Sequence, residues 1–356
     1  MTKVMSVISS DDRIFIDRLR GLSIIRVVLV HLGLSWFLTP YSQFIHVFLP
    51  ILFFVSGAIS YPVYLRAESI RYYSFKRLLS IIIPYYLIVG FIVSIYYLFF
   101  ASFEELSPYT LARWFLVSPA TEMMPFNLGQ IWFLRALIII ILISIPLFLF
   151  ARVSLKILAI PIFISIILSA SELVWNISSI FYIGFFNFYQ PIVNMGFFFF
   201  GAYYYAAAEN FSSKKLSLLF LISLFLSYAS FKYFDLDLNM ANHTFSPNLY
   251  YISLSFAVIF LVLLLKPVIQ LIFEKIKIID KFVGLYSKHA YGVFIIHSFL
   301  IHYSEVEFGW ENVASDPLRA IFKVSFVLFG SLLIAIPVTK ITKPVTSLIL
   351  RNVNRK

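Results

Sequence analysis

The chain has 356 residues, of which 61% are hydrophobic and only 13% charged. A water-soluble domain carries about 45 to 50% apolar residues and about 25% charged ones, so lipid is the expected solvent and a polytopic, all-α membrane bundle the expected fold. The formal net charge of +11 does not indicate nucleic acid, because the basic residues fall in small groups between apolar runs and never gather on one water-facing stretch. The absence of cysteine excludes disulfide and thiol chemistry, and six scattered histidines show no metal-ligand spacing, so no metal is expected.

A span needs about 20 mostly apolar residues. About ten stretches qualify, near 16–38, 44–65, 78–101, 130–151, 157–172, 188–208, 216–233, 249–266, 285–303 and 319–339. The runs are too long for barrel strands, and each must satisfy its own backbone, which makes them helices. A polar stretch through Arg13 precedes the first run, and no small-residue cleavage site follows it. A retained span is therefore expected, not a signal peptide. Between the fifth and sixth runs, SELVWNISSIFYIGFFNFYQP leaves room for a re-entrant or interfacial piece. After the third run, SPYTLARWFLVSP reads as a short amphipathic helix on the outer surface.

Most Lys and Arg residues lie in alternate connections, from Arg13, Arg18 and Arg20 through Arg66, Arg71, Lys76 and Arg77 to Lys340 and Lys343. The intervening connections collect acids such as Glu104, Glu172, Asp237 and Glu305. This alternation predicts an even number of spans with both termini cytoplasmic. There is no repeat of fixed period and no soluble segment, so residues 1–356 read as a single integral-membrane domain.

The first run, DRLRGLSIIRVVLVHLG, carries charge where an apolar helix should not. An ionisable side chain at bilayer depth costs at least about 2.5 to 3.5 kcal/mol, so each such residue needs a reason. Arg20 and His31 are eleven positions apart, about 16 Å along a helix axis, which puts Arg20 at the cytoplasmic mouth and His31 near mid-membrane. A histidine there suits a proton carrier. Arg20, Arg18 and Asp17 also have an account as topology anchors with snorkelling side chains, of equal weight for Arg18. Arg26 lies about 140° around the helix from His31 and is expected to pair within the bundle.

The second run ends FLPILFFVSGAISYPVYLR, where Ser56 and Gly57 allow close helix approach. YYSFKRLLSIIIPYYLI then places Lys76 and Arg77 at the start of the third helix, either as anchors or as phosphate holders. In GQIWFLRALIII, Trp132 reads as part of the outer aromatic belt, with Arg135 one turn deeper as a functional or bundle-internal charge. In LYSKHAYGVFIIHSFLIHY, His297 falls between the two ends of the ninth helix, and both structural hydrogen bonding and catalysis remain open for it.

In that order, DRLRGLSIIRVVLVH, LPILFFVSGAIS, SFKRLLSIIIPYY, IWFLRALI and SKHAYGVFIIH resemble the acyltransferase-3 family of integral-membrane acyltransferases, from Asp17 to His297. The resemblance implies a bundle of about ten spans in the bacterial inner membrane. Such a bundle acts as an O-acetyltransferase, moving an acyl group, usually acetyl from acetyl-CoA, onto a hydroxyl of a surface or lipid-linked carbohydrate. The family signature of Arg, ten residues, then His falls on Arg20 and His31, which makes them the implied catalytic residues. Its Arg-x-x-Arg signature is matched by Arg77, with Ser80 in the second place and Lys76 alongside. Coenzyme A phosphates would then meet Arg18, Arg20, Lys76 and Arg77. Partners are the carbohydrate acceptor and membrane lipids, with a homo-oligomer possible. The chief rival is a transporter or flippase for a polysaccharide or lipid-linked precursor, since intramembrane Arg and His also mark substrate pathways. Against it, no corresponding interrupted helices occur in two similar halves.

Overall fold

A computed structural model describes residues 10–32, 46, 48–99, 108–117, 129–184, 186–311 and 316–354. The described residues form α1 (Ser10–His31), α2 (Pro50–Leu65), α3 (Ile70–Phe99), α4 (Pro108–Phe115), α5 (Trp132–Ala151), α6 (Ile160–Trp175) and α7 (Tyr189–Ala206). These are followed by α8 (Ser213–Tyr233), α9 (Leu249–Leu264), α10 (Lys266–Lys275), α11 (Lys277–Lys288), α12 (Ala290–Phe308) and α13 (Pro317–Asn354). Each of the ten apolar runs contains helix. By length and composition, five helical stretches can cross a bilayer: Ile70–Ile95, Trp132–Ala151, Leu155–Trp175, Ser213–Tyr233 and Pro317–Arg351. A sixth is added if α9 and α10, which meet at 54°, count as one bent span. Glu104, one of the acids that the charge alternation rests on, lies outside the described residues, as do positions 33–38 of the first run.

Helices α6 and α8 are inside-out relative to a soluble protein. The buried residues of α8 are Leu216, Ser223, Ser227 and Ser230, while Leu221 and Phe225 (68%) are exposed. Those of α6 are Pro161, Ser165, Ser169 and Glu172, with Phe163, Ile167 and Trp175 outward. Water would drive the opposite arrangement. Acyl chains accept the apolar face and leave small polar residues to pack helix on helix. The chain is a multi-pass membrane protein.

Two compact units form, one from Met1–Ser23, Leu38–Ala67 and Leu142–Ser287, the other from Ile24–Phe37, Glu68–Ile141 and Lys288–Lys356. In the first, α7 is buried almost all round and packs on α2 and α6. Two glycines set the α2–α7 distance reciprocally. A Cβ on Gly57 would strike the Phe198 carbonyl oxygen, and one on Gly201 the Phe54 carbonyl oxygen. Gly57→Ala or Gly201→Ala should therefore cost about 1 to 3 kcal/mol by forced overpacking, seen as a lower melting temperature in detergent. Gly90→Ala is the control, because a Cβ there meets nothing within 4 Å; equal melting of all three would deny the close approach.

The stretch expected to hold an interfacial piece is a 3-10 turn and a small antiparallel hairpin, β1 (Tyr182–Ile183) and β2 (Phe186–Asn187), paired Tyr182 to Asn187 and Ile183 to Phe186. Buried Glu172 closes it onto α6, accepting from the Ser178 backbone N–H at 2.7 Å and from its hydroxyl at 2.8 Å.

In the second unit α12 packs on α3 and α13. The α4 helix forms where SPYTLARWF predicts it. The hydroxyls of Tyr85 and Tyr86 donate to the carbonyls of Trp114 (2.7 Å) and Phe115 (2.6 Å). From Tyr85, α3 continues to Phe99, about 21 Å further at 1.5 Å per residue. So the C-terminal end of α4 meets the middle of α3, where two hydroxyls satisfy the carbonyls that a helix C-terminus leaves open. Trp132 is buried inside the unit and does not stand in an exposed belt.

Candidate active site

His31 occupies the last turn of α1 and is exposed, while His297 lies mid-way along α12 and is 0% exposed. They sit 266 residues apart in sequence, yet His31 Nδ1 is 2.7 Å from His297 Nε2. The rings are inclined by only 10°, with centroids 5.0 Å apart. That separation is as long as the N···N distance plus both ring radii, so the nitrogens point at each other edge to edge within the ring planes. This is a hydrogen bond, not a face-to-face stack.

The bond has a direction. His297 Nδ1 lies 3.2 Å from the carbonyl oxygen of Val293, one turn earlier in the helix, and a carbonyl can only accept. Nδ1 of His297 therefore carries its proton, and in the neutral ring Nε2 is the acceptor. His31 must then donate from Nδ1, which leaves the lone pair of His31 on its own Nε2. The Ser298 hydroxyl, 3.4 Å from His297 Nε2, fits the same assignment as a second donor. Gln130 donates to the Ile295 carbonyl at 3.4 Å and ties the start of α5 to α12 beside this pair.

Lys76 and Arg77 share the second unit with the histidine pair but face different ways, as adjacent helical residues about 100° apart must. Lys76 is exposed, with its ammonium 5.4 Å from the Tyr72 ring centre. Arg77 is buried (8% exposed), and its Nε has no hydrogen-bond partner among the described residues. Ser80, in the second place of the family signature, donates its hydroxyl to the Arg77 carbonyl at 2.7 Å, so it is spent on the backbone. Arg135 is buried in α5 of this same unit.

Arg18 and Arg20 belong to the first unit. Arg18 directs its fork at Asp280, Nε to Oδ1 at 2.5 Å and one terminal nitrogen to Oδ2 at 3.1 Å. Gly284 makes the room for it, since a Cβ there would meet the guanidinium. Arg18 is thus a pin between α1 and α11. Arg20 bridges the Ser287 hydroxyl and the Asp17 carboxylate, both at 3.0 Å.

A family model of the acyltransferase-3 type, described as an acyltransferase domain, matches residues 13–339. The chain belongs to that family. Neither the curated proteins nor the solved structures give a match. As an acyltransferase-3 chain it is a membrane acyltransferase, and the matched region contains His31, His297, Arg20 and Arg77. Sequence reasoning passed over one buried charge in this acyltransferase. Lys323 of α13 is almost fully enclosed and donates to Glu305 at 2.7 Å and to the Trp310 carbonyl at 2.9 Å, stitching α12 to α13. Its only signal was a lone lysine inside the last apolar run.

Proposed function

We propose that the protein moves an acetyl group from acetyl-CoA onto a hydroxyl of a surface or lipid-linked carbohydrate, with His31 as general base. The observation that carries this is the edge-on hydrogen bond from His31 to buried His297, which leaves Nε2 of His31 as the proton acceptor. Nε2 takes the acceptor hydroxyl proton as the oxygen attacks the acyl carbonyl. The proton then passes to the departing thiolate sulfur, and His31 returns to neutral. A positioned base of this kind contributes about 10² to 10⁴ in rate. No covalent acyl-enzyme step is needed.

Donor phosphates meet Arg77, whose buried Nε has no hydrogen-bond partner among the described residues, with Lys76 as a neighbouring cation. Arg18 is engaged by Asp280 and holds the mouth of α1 in shape. Arg77→Ala should weaken acetyl-CoA binding about tenfold to a hundredfold, the worth of one hydrogen bond to a charged group. Lys76→Ala should cost less. Titration calorimetry on folded, detergent-purified protein checks this, and unchanged affinity in both variants would reduce the pair to topology anchors.

Both termini are cytoplasmic in this proposal, and the membrane is the bacterial inner membrane. Reporter fusions after Lys215 and Lys356 should read inside and one after Glu307 outside; an outside C-terminus would break the even-span scheme. The activity itself is tested with protein in liposomes, radiolabelled acetyl-CoA and a glycan acceptor. Label must appear on the glycan. Movement of unlabelled glycan across the bilayer without label transfer would favour a flippase instead.

A further inference from the structure

Helix α11 and the helix before it form a surface element with a use of its own. Pro267 at the start of α10 breaks it from α9 at 54°, so α10 leaves the span direction. Of its side chains only Phe273 is buried, while Val268, Leu271 and Ile272 are exposed. In α11 the residues sort into three stripes at 100° per residue. Val283, Tyr286 and Ser287 face the protein and are buried. Lys277 and Lys281, one turn apart, make a second stripe, and both are exposed. Ile278, Phe282 and Leu285 make a third, about 80° beyond the lysines, with Ile278 77% exposed. An isoleucine that exposed beside a lysine stripe suits neither bulk water nor hydrocarbon alone. It suits the boundary between them, apolar stripe toward the acyl chains and lysines at the headgroups.

The charge on that boundary is one-sided. Asp280 is taken up by Arg18, which leaves Lys275, Lys277 and Lys281 against Glu274 on the outward surface. The protein-facing side grips α1. Lys266 pairs with Asp12, Gln270 donates to the Asp11 carbonyl at 3.3 Å, and the Arg18 and Arg20 bonds reach Asp280 and Ser287. We propose that α10 and α11 form an interfacial anchor for anionic lipid headgroups, bound through Lys275, Lys277 and Lys281, and that this anchor holds the N-terminal half of α1 at the bilayer surface.

The absence of cysteine from the sequence makes the test clean, since a single introduced thiol labels uniquely. An environment-sensitive fluorophore on Ile278→Cys, in the full chain reconstituted into phosphatidylglycerol vesicles, should emit as in an apolar setting and resist aqueous iodide. The same label on Lys277→Cys should be quenched readily. The triple variant Lys275→Gln, Lys277→Gln, Lys281→Gln should retain phosphatidylglycerol about a hundredfold less well by native mass spectrometry, at about fivefold per lysine, and phosphatidylcholine equally well. Because these side chains are exposed, the variant should purify monodisperse like the parent. Equal iodide quenching at both label positions, or unchanged phosphatidylglycerol retention by the triple variant, overturns the anchor. Loss of acetyl-CoA binding with lipid retention intact also overturns it and assigns the lysines to the donor.

Discussion

His31→Ala should lower acyl transfer by about 10² to 10⁴, the worth of a general base, while expression, membrane insertion and acetyl-CoA binding stay close to the parent. The asymmetry follows from where the base acts. Nε2 takes a proton only as the acceptor oxygen attacks, so its loss falls on the transition state and not on donor capture. Folding should tolerate the change because His31 is exposed at the last turn of α1 and its partner His297 keeps its bond to Val293. Label transfer from acetyl-CoA to glycan in liposomes reads the rate, and calorimetry reads the binding. A folded His31→Ala protein that acetylates at near-parental rate would move the base elsewhere and leave His31 as a hydrogen-bond partner only.

The helices were legible because an apolar run in lipid has one way to satisfy its backbone, and every run holds helix. His31 was legible for a related reason. A histidine inside such a run carries a cost that only a specific environment returns. Its partner was not, because a helical period relates residues three or four apart, and nothing in it brings together positions separated by 266. The same blindness explains the cations. Arg18 and Arg77 look alike in sequence, and only the carboxylate of Asp280, on a helix far along the chain, takes up Arg18 and not Arg77. The contact of α4 was hidden for the same reason, because the hydroxyls that take its last carbonyls, Tyr85 and Tyr86, lie 29 residues earlier. Gly57 of α2 was legible as a point of close approach, although its reciprocal glycine in α7, Gly201, was not.

His297→Leu should lower kcat by about 10- to 100-fold with little change in KM, a smaller loss than removal of the base itself. The sequence leaves structural hydrogen bonding and catalysis both open for this residue, and the geometry favours a positioning role. Val293 fixes the proton on His297 Nδ1, His297 Nε2 then accepts from His31 Nδ1, and the lone pair of His31 is thereby held on Nε2. Leucine keeps the volume and the apolar contacts with Phe294 but removes the acceptor, so the His31 ring can turn and exchange tautomers. The base is still present and is correctly disposed only part of the time. His297→Gln separates this from simple packing damage, because its amide oxygen can stand near the lost Nε2 and accept the same proton. Activity should recover toward the parent in Gln and stay low in His297→Lys, which offers donors alone. A double variant, His31→Ala with His297→Leu, should be no slower than His31→Ala by itself, since His297 acts only through the ring it holds. If His297→Leu and His297→Gln lose activity equally, or the double variant is slower than the single, His297 has a role of its own in the reaction.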